Sequence, residues 1–131
     1  MGKYFSVKEL YYSDTAKAKK IDNTPNDMVI RNLENLIAVL DQIREKYGKP
    51  IYINSGYRCT KLNKAVGGKP TSQHLYGEAV DLDTRKGKEE NKKLLQLIKT
   101  YFQYDQLINE SDYAWVHFSY IRPNRKQVLS L

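Results

Sequence analysis

Residues 79–83 read Ala-Val-Asp-Leu-Asp, an alternation that puts Val80 and Leu82 on one face of a strand and Asp81 on the other. A carboxylate in such apolar company is costly unless a cation or a set of donors meets it. The strand therefore needs neighbours that bury Val80 and Leu82 and also supply a partner for Asp81. Just upstream, Ser72, His74, Gly77, Ala79 and Asp81 form the pattern S-x-H-x-x-G-x-A-x-D. The chain holds only two histidines, and the second, His117, sits far along in the run Ala-Trp-Val-His-Phe-Ser-Tyr. In that run Trp115, His117 and Ser119 share one face, and Val116, Phe118 and Tyr120 the other. If the two strands are neighbours, Asp81 and His117 point to one spot and the loop before Gly77 delivers His74. Two imidazoles and a carboxylate are the three protein ligands of a catalytic zinc, which keeps its fourth position open. Gly77 would permit close backbone approach and Ala79 would leave room beside a metal. The plainer alternative is an exposed loop histidine at 74 and a hydrogen-bonded core histidine at 117.

The rest of the chain reads as scaffold for this stretch. Ser6 and Glu9 have capping-box spacing and predict a short helix from Val7. Residues 13–24 are polar without a period and predict a loop. Thr24-Pro25-Asn26-Asp27 opens the main helix, with Thr24 as the expected cap. Val29, Leu33, Leu36, Ile37, Leu40 and Ile43 give it one buried face, and Gly48 followed by Pro50 ends it. Ile51–Ile53 predicts a strand, residues 59–66 a brief helix, and Gly67-Gly68-Lys69-Pro70 a loop. Thr84–Glu89 is expected to be an exposed charged connection into a second amphipathic helix over roughly 89–102. Residues 106–108 and 115–120 predict a hairpin, and 126–131 an edge strand. The class is α+β: a mostly antiparallel sheet flanked by helices, in one domain spanning 1–131.

Composition narrows the functional classes. With 40% apolar and 28% charged residues the chain belongs with folded globular proteins. No apolar run approaches the ~20 residues that span a bilayer. The N-terminus has no apolar h-region, which predicts a chain that stays in the cytoplasm as synthesised unless another factor releases it. Lone Cys59 excludes an internal disulfide and is expected to be a small buried filler. The formal charge of +7 favours an anionic partner. The basic residues are scattered, however, and no nucleic-acid motif accompanies them, so an anionic cell-wall polymer is preferred to nucleic acid. A monomer is expected.

Four motifs in order, SGYRC from Ser55, LNKAVGG from Leu62, SQHLYGEAVDLD from Ser72 and WVHFSY from Trp115, resemble the zinc D-Ala-D-Ala metallopeptidases and related phage and bacterial peptidoglycan endopeptidases. These share the fold of the hedgehog signalling domain, and the resemblance covers nearly all of the chain. It implies Zn2+ held by His74, Asp81 and His117, with stem peptides of peptidoglycan as substrate. Many relatives carry a glutamate three residues before the last histidine, where this chain has Ala114. Others carry it about six residues before, which makes Glu110 the expected general base, with Asp112 second and Glu78 third. Arg58 matches an arginine that meets substrate in relatives, and Ser72 is expected beside the ligands or the substrate backbone. Tyr57, Tyr76, Trp115 and Tyr120 are candidate cleft walls. The absence of a signal peptide fits a phage or prophage lysin, released by a holin or carried by a virion. The resemblance also admits a zinc-containing binding protein without turnover, since the hedgehog domain separates fold from activity.

Overall fold

A computed structural model describes residues 2–131. Helix α1 (Val7–Tyr11) starts where Ser6 Oγ accepts from Glu9 N at 3.2 Å. The expected loop over 13–24 contains a second short helix, α2 (Asp14–Ala18), capped by Ser13 Oγ on Ala16 N. Of its two alanines only Ala16 is buried, and a single buried apolar residue gives no readable period. Helix α3 (Asp27–Tyr47) buries the six apolar residues named above. Its cap is Asn26, whose Oδ1 accepts from Val29 N at 2.9 Å, in place of the expected Thr24. Thr24 is engaged elsewhere, its N–H donating to Asp22 Oδ1. Gly48 ends α3 in the left-handed conformation at φ +78°, as the sequence predicts.

The remaining elements are β1 (Tyr52–Ser55), α4 (Thr60–Ala65), a 3-10 turn (Gln73–Tyr76), β2 (Ala79–Asp83), α5 (Lys88–Tyr101), β3 (Gln106–Glu110), β4 (Trp115–Ser119) and β5 (Gln127–Ser130). Cys59 differs from the expected buried filler. It is half-buried and caps α4, its Sγ accepting from Leu62 N at 3.4 Å. Thr84 is also buried rather than exposed. Its N–H and hydroxyl both meet Asn91 Oδ1, which ties the end of β2 to the first turn of α5.

The five strands are ordered β1-β2-β4-β3-β5, antiparallel throughout except for the β3–β5 pair. Val80, Leu82, Leu107, Val116 and Phe118, all without exposed surface, form one face. That face packs with α3 and α5, whose Leu33, Leu36, Leu40, Leu94 and Ile98 complete the core. Because side chains alternate, the opposite face must carry Asp81, Ile108, Glu110, Trp115 and His117. The core thus holds the sheet from behind and leaves its front for chemistry. No helix among the described residues is long and apolar enough to cross a membrane.

Candidate metal centre and cleft

In the β2–β4 ladder Asp81 stands directly opposite His117. Register sets this pairing, since a slip of one residue would turn either side chain into the core. His74 arrives from the 3-10 turn that precedes β2. Ser72 caps that turn, its Oγ accepting from His74 N at 3.2 Å. Gly77 closes it at φ +72°, where an added Cβ would sit 2.9 Å from Val29 Cγ1 on α3. Gly77 therefore lets the turn lie down on the main helix, and His74 is 3% exposed as a result.

One ligating atom from each of His74, Asp81 and His117 lies within 4.8 Å of the others. His74 Nδ1 is 2.7 Å from the carbonyl oxygen of Gly56, which can only accept, so that nitrogen carries the proton. In neutral imidazole, Nε2 then presents a lone pair to Asp81 Oδ1 at 3.3 Å. His117 Nδ1 approaches the same oxygen at 3.2 Å. Burial alone would raise the pKa of Asp81, but hydrogen bonding with His117 outweighs it and holds the carboxyl well below its usual range. Facing lone pairs on His74 and an ionised Asp81 repel unless a cation sits between them. The separations also fit: two ligands each about 2.1 Å from a tetrahedral zinc lie about 3.4 Å apart. The Gly56 carbonyl acts as the outer partner that fixes the tautomer and aim of a ligating histidine. Gly56 is glycine because a Cβ there would collide with the carbonyl of Leu10. The donor set therefore suits a divalent ion of zinc's kind.

The three residues stand in a cleft of about 730 Å³ whose walls include Arg58, Ser72, Glu110, Trp115 and Arg125. Glu110 lies on the cleft face of β3 at its junction with β4, paired in register with Trp115. Asp112, the second candidate base, is turned away, largely exposed and bonded to Lys88 Nζ at 3.3 Å. Glu78, the third, is absent from the cleft wall. Its carboxyl pKa is raised by burial and by the charge of Asp105. Arg58 is tied to the histidine turn twice, by its N–H on the His74 carbonyl at 3.0 Å and by Nη2 on Ser72 Oγ at 3.4 Å. Burial lowers the pKa of its guanidinium against the opposing pull of Asp81, and its buried Nε has no partner. Ser72 thus both caps the turn and steadies Arg58.

Of the four aromatic candidates only Trp115 lines this cleft. Tyr57 faces a separate cavity, Tyr120 lies in another with Phe102, and Tyr76 is exposed on the outside of the turn. Sequence reasoning also passed over Gln73, Arg125, Leu129 and Leu131, which line the cleft, and Asp105 behind it. Gln73 lies inside the histidine motif. The others come together only through the parallel return of β5 beside β3, which no local pattern reports.

A strand-borne carboxylate and imidazole joined by a second imidazole from a turn, within one open cleft, form a candidate site for a single metal ion. Residues 3–119 match the family described as Peptidase M15, and the chain belongs to that family. Over 44 residues it is 46% identical to the zinc D-Ala-D-Ala carboxypeptidase of Streptomyces albus G. That aligned stretch covers 33% of this chain and only 17% of the Streptomyces protein.

Proposed function

We propose that this chain is a zinc-dependent peptidase that hydrolyses D-amino-acid-containing peptide bonds in peptidoglycan stems. The observation that carries the reading is the meeting of His74, Asp81 and His117, with the His74 Nε2 lone pair facing Asp81, in a cleft whose wall also holds the carboxylate Glu110. Membership of the M15 family and likeness to a zinc D-Ala-D-Ala carboxypeptidase support it.

His74 through Nε2, His117 through Nδ1 and Asp81 through a carboxylate oxygen would hold the ion. Bound zinc would act as a Lewis acid toward the scissile carbonyl and bring a water's pKa toward about 7. The chain's own groups do the rest. Glu110 takes the proton of the attacking water and returns it to the leaving amine. Arg58, which lines the cleft, hydrogen-bonds a substrate carbonyl or carboxylate beside the bond. Ser72 holds that guanidinium, and Trp115 gives the cleft an apolar wall against the substrate.

The test is digestion of purified peptidoglycan by the zinc-loaded protein, with products identified by mass, beside Glu110→Ala and His117→Ala. Release of new termini by wild type, lost in both variants, is expected, and the product masses distinguish carboxypeptidase from endopeptidase action. Stoichiometric zinc with no cleavage of any wall type would overturn the proposal in favour of a zinc-containing binding protein.

A further inference from the structure

The chemistry above uses the middle of the cleft and the Glu110 end, and leaves the opposite end unexplained. There Asp105, with no exposed surface, collects four donors. Arg125 supplies three of them: backbone N at 2.9 Å, Nε at 2.9 Å and Nη2 at 2.6 Å. Gln73 Nε2 supplies the fourth at 2.7 Å. The loop around Arg125 is itself fastened, by Ile121 N on Asn124 Oδ1, Lys126 N on the Tyr104 carbonyl and Gln127 N on the Asp105 carbonyl. A guanidinium has five N–H donors in a rigid fork, and the Asp105 pair uses two of them. The rest have no protein partner, while the side chain is 55% exposed and lines the cleft. An arginine pinned by a buried carboxylate and left with free N–H groups at a cleft wall is already arranged for a second carboxylate. Little side-chain freedom remains to be lost on binding.

We propose that Arg125, held by Asp105, is a substrate-binding residue that recognises a carboxylate close to the scissile bond. The position follows from the sheet. Asp105 N donates to the Ser119 carbonyl, and Ser119 lies two residues beyond His117 on β4, about 7 Å along the strand. Glu110 lies on the other side of His117. A carboxylate held by Arg125 is therefore roughly one to two residues of extended peptide from the bond under attack, on the side away from Glu110. The inference rests on the peptidase reading. It draws on a residue beyond the family match at 3–119, so it comes from this chain's own structure.

Two sources supply such a carboxylate: the C-terminus of a stem, or the free α-carboxylate of a residue linked through its side chain. The test uses three synthetic stem peptides, identical except that one has its C-terminus amidated and another its internal free carboxylate amidated. Their Kd values are measured by calorimetry on zinc-loaded Glu110→Gln protein with and without Arg125→Gln, and kcat/KM on the protein with Glu110 intact. One amidation is expected to weaken binding about tenfold, the loss of a charge-assisted hydrogen bond, and the peptide that suffers names the source. In Arg125→Gln the ratio between that amide and its carboxylate should fall toward one, with zinc content unchanged. Equal binding of all three peptides by the protein retaining Arg125 overturns the proposal, and so does a ratio that survives Arg125→Gln. If Arg125→Gln does not fold, Arg125→Lys, which keeps the charge but loses the fork, takes its place: a ratio that falls supports the proposal and a ratio that survives overturns it. Absence of cleavage with the binding ratio intact would count against the peptidase reading and not against this site.

Discussion

Asp105 offers a prediction with a magnitude that can be worked through. Its hydrogen bonds with Arg125, and then with Gln73, lower its pKa from 3.8 to about 2 against the opposing effect of burial. A carboxyl depressed on folding stabilises the folded state above its unfolded pKa and loses that contribution as pH falls toward the folded value. That lowering corresponds to about 2 kcal/mol at neutral pH, with roughly half of it lost by pH 3. Asp105→Asn keeps the shape and removes the charge. Urea unfolding of wild type and Asp105→Asn, followed by circular dichroism at pH 7 and pH 3, should show a gap in unfolding free energy of about 2 kcal/mol or more at pH 7. That gap should be about 1 kcal/mol smaller at pH 3. The comparison cancels the other carboxyls, which titrate in both proteins. A gap independent of pH would refute the reasoning, because Asp105 would then contribute packing and shape but no charge.

Other perturbations probe other links. Phe118 is fully buried where β4 meets α5, so Phe118→Ala should cost about 3–5 kcal/mol of stability, read from the urea midpoint. Gly56→Ala forces the chain away from the Leu10 carbonyl and shifts the oxygen that orients His74, so zinc affinity measured by competition with a chelator should fall about 10- to 100-fold. Glu110→Gln should retain zinc while losing about 10²- to 10⁴-fold in kcat on stem peptides. Loss of zinc by that variant would instead make Glu110 a ligand.

Local patterns in the sequence carried most of the scaffold. The α3 face, the glycine at its end and the alternation of β2 and β4 each depend on neighbours a few residues away, and all appear as expected. The convergence of Asp81 and His117 was also legible, because a polar side chain inside an apolar strand implies a partner on the same face. Thr24 lost the capping role to Asn26 because both residue types cap well and only the competing turn at Asp22 separates them. Helix α2 is too short for periodicity to register. Thr84 looked exposed among charges because its partner Asn91 sits a full turn into the next helix. The far end of the cleft was illegible for a different reason. Asp105 and Arg125 are ordinary charged residues in sequence, and their pairing depends on the return of β5 beside β3.

The most direct measurement is anomalous diffraction at the zinc edge from crystals of the zinc-loaded protein. A single peak bounded by His74 Nε2, a carboxylate oxygen of Asp81 and His117 Nδ1, with Glu110 facing its open side, is the predicted result. A peak elsewhere in the molecule, or none at saturating zinc, would contradict the account.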